Sequence, residues 1–400
     1  MKKTLLACAL GLAVTTVTAQ NQVTVFEGAR VIVGDGRTID NAAFVVQGDR
    51  LTQVGPAAAI KAPAGATRVS LAGKTVMPAI VDAHVHTSTT EAELVNDLQQ
   101  RARFGIGAAL SMGLDGNDVA FVQRDKTVPS LARIYTAGRG ITAPEKGRTE
   151  VPYWITTPEE GRKAARELAA RRVDIIKIWV DDRDGKFPKL TPALYTAVID
   201  EAHKHQQRVT AHIFSLEDAK GLLTAGIDSF AHGIRDRDID DEAIALLKAR
   251  PNFVLIPNMP DRGVAADYSW LRGSIPDAAL QKIQAGATDR PQAQQTFGIQ
   301  ARNLAKMSAA GVKITVGTDG NTPCAPHVEM ADMVASGMTP AQVITAATKN
   351  GAEFLRIPNT GTIEGGKIAD FIVLDANPLE DITNTRKISA VYLRGTAVSR

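Results

Sequence analysis

The chain has 400 residues, 44% of them hydrophobic and 22% charged, with a formal net charge of +3. That length admits a large buried core with a smaller second module. Basic and acidic residues are interspersed, which excludes a nucleic-acid-binding stripe or an acidic tail and leaves an ordinary solvated surface. The chain opens with Met1, Lys2 and Lys3, continues with an apolar stretch from Leu5 to Val17, and reaches small residues at Ala19-Gln20. A charged start, a short apolar run and a small-residue cleavage pattern predict a signal peptide over 1–19, removed after Ala19. The run is too short to span a bilayer. Cys8 sits at the start of the apolar run instead of its end, which argues against lipidation. The expected product is secreted or periplasmic, free of the membrane after cleavage, and has only Cys324, hence no internal disulfide.

Residues 22–75 read as short β-branched strands, among them Val23–Phe26, Arg30–Val33, Ala43–Val46, Leu51–Val54 and Arg68–Leu71, punctuated by Gly34-Asp-Gly36, Gly48-Asp49 and Ala72-Gly73. The C-terminal stretch, with runs at Ile368–Leu374 and Ile388–Leu393, looks alike. Two strand-rich ends predict one β-sandwich module built from 20–75 plus 356–400.

The middle, 76–355, alternates strands with helices. The predicted strands are the run before His84, then Ala108–Met112, Leu131–Ala137, Val173–Val180, Val209–Ile213, Asp228–Ala231, Phe253–Pro257 and Val312–Gly317. The predicted helices are Glu91–Phe104, Thr157–Arg172, Thr191–Gln206, Leu216–Ala225, Asp240–Ala249 and Pro291–Gly311. Thr157-Pro158 and Thr191-Pro192 are helix starts, with Thr capping and Pro in the first turn. Eight strands, most followed by a helix, predict an α/β fold of the (β/α)8 TIM barrel type.

In a barrel, the C-terminal strand ends converge on one mouth. His84 and His86 end the first strand, two apart and therefore on one side. Lys177 lies inside the fourth strand, His212 ends the fifth, His232 the sixth, and Asp319 follows the eighth. Imidazole nitrogen and carboxylate oxygen are ligands for zinc and similar divalent ions, and six ligands can hold two ions. A lysine flanked by Ile176 and Ile178 is costly to bury charged, so its pKa falls. As a neutral amine it reacts with carbon dioxide to give a carbamate, which bridges two ions as a carboxylate does.

With these residues in place, the chain resembles the amidohydrolase superfamily of metal-dependent hydrolases. The segment from Met77 through Asp82-Ala-His84-Val-His86 is similar to the family's first-strand signature. Lys177, His212, His232 and Asp319 follow in family order. The Ile-Lys-Ile strand, Gly317-Thr-Asp319-Gly and the Pro326-His327 stretch look most like the prolidase-like and imidazolonepropionase-like branch. Ala79 stands where the family commonly has Gly. The resemblance implies His84 and His86 on the more buried ion with Asp319. It implies His212 and His232 on the more exposed ion, the carbamate on Lys177 between them, and Asp319 as the catalytic proton shuttle.

Other polar residues invite roles. Arg139, after the third strand, is a candidate for binding a substrate carboxylate. His327 and Asn258 are candidates for lining the mouth. His203 and His205 sit at a polar helix end, where i and i+2 share no face, and read as surface residues. The connection from Pro257 to Pro291 is long for this fold, as functional loops often are. The expectation is a binuclear hydrolase, with zinc the expected metal, that cleaves a C–N bond in a small carboxylate-bearing molecule such as a dipeptide or N-acyl amino acid. Three alternatives stand beside it: a cyclic amide, lactone or phosphotriester hydrolase, a mononuclear deaminase, and a non-catalytic binder on the same fold. The expected partner is a small-molecule substrate, with no nucleic acid, and a homo-oligomer is compatible with the sequence.

Overall fold

A computed structural model describes residues 23–148 and 150–399. The leader expected over 1–19, Cys8 included, lies outside the described residues.

The two ends of the chain meet in one eight-stranded sheet. Its spine runs from Thr396–Ala397 through Ile388–Leu393, Phe371–Leu374, Thr75–Pro78, Val23–Ile32 and Thr38–Gln47 to Arg50–Pro56, with Thr67–Ser70 also paired to Val23–Ile32. Register shifts around Ala29 let one long strand pair with Thr67–Ser70 along its first half and with Thr75–Val76 along its second. The shifts bend the strand, as bulges do. The curled sheet encloses an aromatic cluster of Phe26, Phe44, Phe371 and Tyr392, with ring centroids 4.7–5.3 Å apart. Strands from both ends of the chain thus share one continuous sheet, and its pairing order does not by itself establish the two layers of the expected sandwich.

All eight strands predicted in the middle are present: Ile80–Val85, Ile106–Ser111, Arg133–Thr136, Ile176–Trp179, Val209–His212, Ser229–Ala231, Val254–Ile256 and Lys313–Ile314. Their pairings are parallel. The ladders make two open sheets, one of three strands and one of seven, instead of one closed ring. Backbone bonds cross the two seams: Asp174 N–H to Thr136 O at 2.9 Å at one, and at the other Ala83 N–H to Val316 O at 2.8 Å with Thr318 N–H and Asp319 N–H to His84 O at 3.0 Å and 2.8 Å. The fold is thus TIM-barrel-like, and the strand ends that carry polar residues face one mouth.

The helices lie close to their expected bounds. Pro158–Ala170 starts with a capping box between Thr157 and Glu160, and Leu216–Ala225 stops at Gly226 in the left-handed region. Thr191 precedes Pro192–Lys204 without a side-chain capping bond. Five α-helices lie outside the predicted set: Val119–Arg124, Asp277–Gly286, Ala325–Ala335, Pro340–Thr345 and Gly351–Phe354. Asp277–Gly286 sits inside the long connection and buries none of its residues fully, with Leu280 and Ile283 only partly covered against the core. No helix among the described residues is long and apolar enough to cross a membrane.

Candidate metal centre

The first inner strand, Ile80–Val85, is buried throughout, and Asp82, His84 and His86 alternate along one face of it. Asp82 does not reach the cluster. It lies within 3.2 Å of the Arg101 guanidinium and accepts from Thr318 Oγ1 at 2.9 Å. It thereby ties the first strand to the segment that carries Asp319. That segment runs so close that a Cβ on Gly317 would stand 2.4 Å from Ile256 and 2.9 Å from His84, so only glycine fits there.

Three histidines converge on Asp319. His84 Nε2 and His86 Nε2 lie 3.1 Å and 3.0 Å from its Oδ1, and His232 Nε2 lies 3.4 Å from Oδ2. Ligand atoms of His84, His232 and Asp319 all fall within 4.8 Å of one another, the spread expected of groups that share one ion. His212 packs edge-on against His232 at 4.5 Å between centroids. Its Nε2 is 2.8 Å from both Asp181 Oδ2 and Arg183 Nη1. Lys177 is fully buried, and its Nζ has no hydrogen-bond partner. Burial lowers its pKa to about 7, against the opposing pull of Asp319.

The cluster fits a metal on two further counts. His84 Nε2, which faces Asp319, is buried without a hydrogen-bond partner, which is costly unless something else satisfies it. Behind His84, Asn258 Oδ1 meets Nδ1 at 3.0 Å, and this acceptor places the proton on Nδ1 and the lone pair on Nε2. Burial pushes the His84 pKa down to about 4 and that of His212 to about 3. Burial resists ionisation of Asp319, yet His84, His86 and His232 drive its pKa far below the usual carboxylate range. Backbone strain gathers at the same place. His232, Asn258 and Asp319 have φ of 118°, 43° and 53°, in the region that non-glycine residues rarely adopt.

A cavity of about 240 Å³ opens onto this cluster, with His86, His212, Asp319, Trp179, Glu145 and Arg183 among its walls. Arg148 also faces it. The three candidate substrate residues are elsewhere. Arg139 is turned away, its Nε donating to Val151 O at 2.5 Å and its guanidinium lying 4.1 Å above the Tyr153 ring. His327 is enclosed, with Nδ1 at 3.0 Å from Thr385 Oγ1 and Nε2 at 2.9 Å from Phe104 O, so it joins the end of a helix to the C-terminal segment. Asn258 is a support behind His84 and not a lining residue. His203 bonds Asp228 at 2.9 Å and His205 lies 3.6 Å from Glu201, at the surface as expected. Cys324 is a free, buried thiol with its pKa pushed up to about 11 by burial.

Sequence reading missed Asp181, Arg183, Asp115, Glu145 and Arg235. Asp181 and Arg183 directly follow the lysine-bearing strand, and Arg235 stands three residues after His232. That proximity to strand ends was the available signal. Asp115 is buried beside His86, accepting from Ser111 Oγ at 2.8 Å and from Thr136 Oγ1. Glu145 has no local pattern to mark it.

A model of the amidohydrolase family matches residues 75–398. The chain belongs to the amidohydrolase family. It is accordingly a metal-dependent hydrolase of amide and related C–N bonds. It is 26% identical to ochratoxinase from Aspergillus niger, over 94% of this chain and 85% of that one. It is 25% identical to imidazolonepropionase from Deinococcus radiodurans, over 91% of this chain and 93% of that one. Among solved structures it resembles one named for a prolidase from Bifidobacterium longum, with a TM-score of 0.79, 27% identity and 95% of each chain covered.

Proposed function

We propose that the chain hydrolyses the amide bond of a small carboxylate-bearing substrate, such as a dipeptide or N-acyl amino acid, at the His84–His86–Asp319 cluster. The observation that carries this reading is the convergence of three histidine Nε2 atoms on one carboxylate beside a substrate-sized cavity. His84, His86 and Asp319 would hold one divalent ion. Lys177, as a carbamate, with His212 and His232 would hold a second, and zinc suits this nitrogen and oxygen set. When bound, such ions acidify water into a nucleophile and polarise the scissile carbonyl. Asp319 takes the proton released by the attacking water and hands it to the leaving nitrogen. Leu114, Pro152 and Trp179 give the cavity an apolar side that excludes water, and Arg148 and Arg183 supply the cations that Arg139 does not. The prolidase and ochratoxinase names among its relatives support an amide substrate.

The test is a screen of dipeptides and N-acyl amino acids, with zinc and bicarbonate added. Hydrolysis that a chelator abolishes, and that Asp319→Asn lacks, is the expected result. Activity that survives chelation would refute the reading.

One observation favours a second arrangement of the same hydrolase. Arg235 Nη2 lies 3.1 Å from His232 Nδ1. A guanidinium only donates, which is unusual behind a metal-binding imidazole. A site with one ion, and Lys177 outside its ligands, accommodates that contact.

A further inference from the structure

A second cavity, of about 300 Å³, lies under the long connection that follows the seventh strand. It shares no wall residue with the cavity that opens onto the metal cluster. Most of its wall comes from two segments, residues 259–268 of the connection and the helix Ala325–Ala335. The connection is pinned where it forms this wall. Arg290 N–H and Gln294 Nε2 donate to Gly263 O at 2.7 Å and 2.8 Å, and Asp261 pairs with Arg290. Glycine is required at 263, because φ is 62° and a Cβ would stand 2.6 Å from Arg290 O.

The helix brings Glu329 and Asp332 to this cavity, three residues apart and hence on one face. Glu329 is 5% exposed. Its carboxyl accepts from Met259 N–H at 2.9 Å, and no cation among the described residues pairs with it. Asp332 has 9% of its side chain exposed, and its carboxyl makes no hydrogen bond. Arg262 Nε stands 3.6 Å away, beyond hydrogen-bond reach. Arg386, the other cation on the wall, is engaged elsewhere, 4.8 Å from the Trp270 ring and donating to His327 O at 3.4 Å. Burial raises the Asp332 pKa to about 7 and that of Glu329 well above the usual carboxyl value. Two buried acids with so little pairing are costly to the fold, and in a cleft they mark a candidate site.

The rest of the lining says what kind of ligand fits. Val264, Ala325 and Val328 are apolar, and Tyr268 adds an aromatic ring. A divalent ion wants a shell of oxygens, fills little of this volume and is repelled by Arg262 and Arg386. An organic cation uses every part: N–H donors for the carboxyl groups, a stem for the apolar wall and a charge for the ring. We propose that this cavity is a second binding site, for a small organic ammonium whose charge is received by Asp332 and Glu329. The proposal stands apart from the metal-dependent reading above.

The test is calorimetric titration of the full chain at pH 8 with n-butylammonium chloride, and with n-butanol as its neutral counterpart. Each titration is run with zinc bound and again after chelation, because an amine also ligates zinc. Wild type, Asp332→Asn and Glu329→Gln are compared; the amide oxygen of the latter keeps an acceptor for Met259 N–H. Expected is saturable binding of the ammonium to wild type, equal with and without zinc. It should weaken by about tenfold or more in Asp332→Asn and by a smaller factor in Glu329→Gln, and n-butanol should bind about tenfold or more weakly than the ammonium. No saturable binding, equal affinity for the alcohol, or unchanged affinity in both variants would overturn the proposal. So would binding seen only with zinc, which places the amine on the ion. If Asp332→Asn does not fold, Glu329→Gln and the ammonium–alcohol comparison decide the matter.

Discussion

His84 and His327 are both buried and both belong to the middle of the chain, yet they do opposite work. His327 has each ring nitrogen engaged, by Thr385 and by the Phe104 carbonyl, and its burial is complete in the chemical sense as well. His84 has Asn258 on one nitrogen, and on the other only a carboxylate shared with His86 and no hydrogen bond. Burial alone therefore does not mark a site in this molecule. What marks it is leftover valence, reinforced by left-handed backbone at His232, Asn258 and Asp319.

The sharpest way to break this comparison is at Asp319. Asp319→Asn removes the proton acceptor while keeping its shape, so kcat/KM should fall by on the order of 10³-fold with the thermal melting curve nearly unchanged. A variant that folds and keeps activity within tenfold would move the chemistry elsewhere. Next in size is Asp332, which is buried and lines a separate cavity of about 300 Å³ together with Glu329 and Tyr268. Burial raises its pKa to about 7. A carboxylic acid with a raised folded pKa adds stability that is fully present below about pH 4 and is lost as pH rises through about 7. Asp332→Asn should therefore be more stable than wild type by about 2–4 kcal/mol at pH 8, with the gap closing near pH 4. Denaturant titrations at the two pH values check both the sign and the closure.

His327→Ala then sharpens the contrast from the other side. It should cost roughly 1–3 kcal/mol of stability, because buried partners lose their bonds, while ion content and kcat stay at wild-type values. A drop in ion content in folded His327→Ala would bring that residue back to the mouth. The smallest effect belongs to Arg139→Met. Losing a contact with a backbone carbonyl and the Tyr153 ring should cost about 1 kcal/mol and leave KM within about threefold. A large rise in KM would restore Arg139 as a substrate ligand.

The strand ends were legible because two periodicities coincide there: β-branched runs of the right length, each closing on a residue that has no place in a core. That pattern put His84, His86, Lys177, His212, His232 and Asp319 forward as candidates, and the fold brings His84, His86, His232 and Asp319 together. The supporting residues were not legible. Asp181, Arg183 and Arg235 sit in turns, where a charged residue is ordinary, and only the folded geometry turns them towards His212 and His232. Arg139 and His327 misled for the same reason. Their sequence positions are close to the mouth, but their directions are set by Val151, Tyr153, Phe104 and Thr385, which come from other segments. The layering of the terminal strands was not legible, because strand propensity does not say whether two runs share a ladder or face each other.

The most direct test counts divalent ions per folded chain in wild type and in His84→Asn, each purified with zinc and bicarbonate and shown to be folded by circular dichroism. The expected result is at least one tightly held ion in wild type and its loss in His84→Asn. A folded wild-type chain without an ion, or an ion that His84→Asn keeps with equal affinity, would contradict the account.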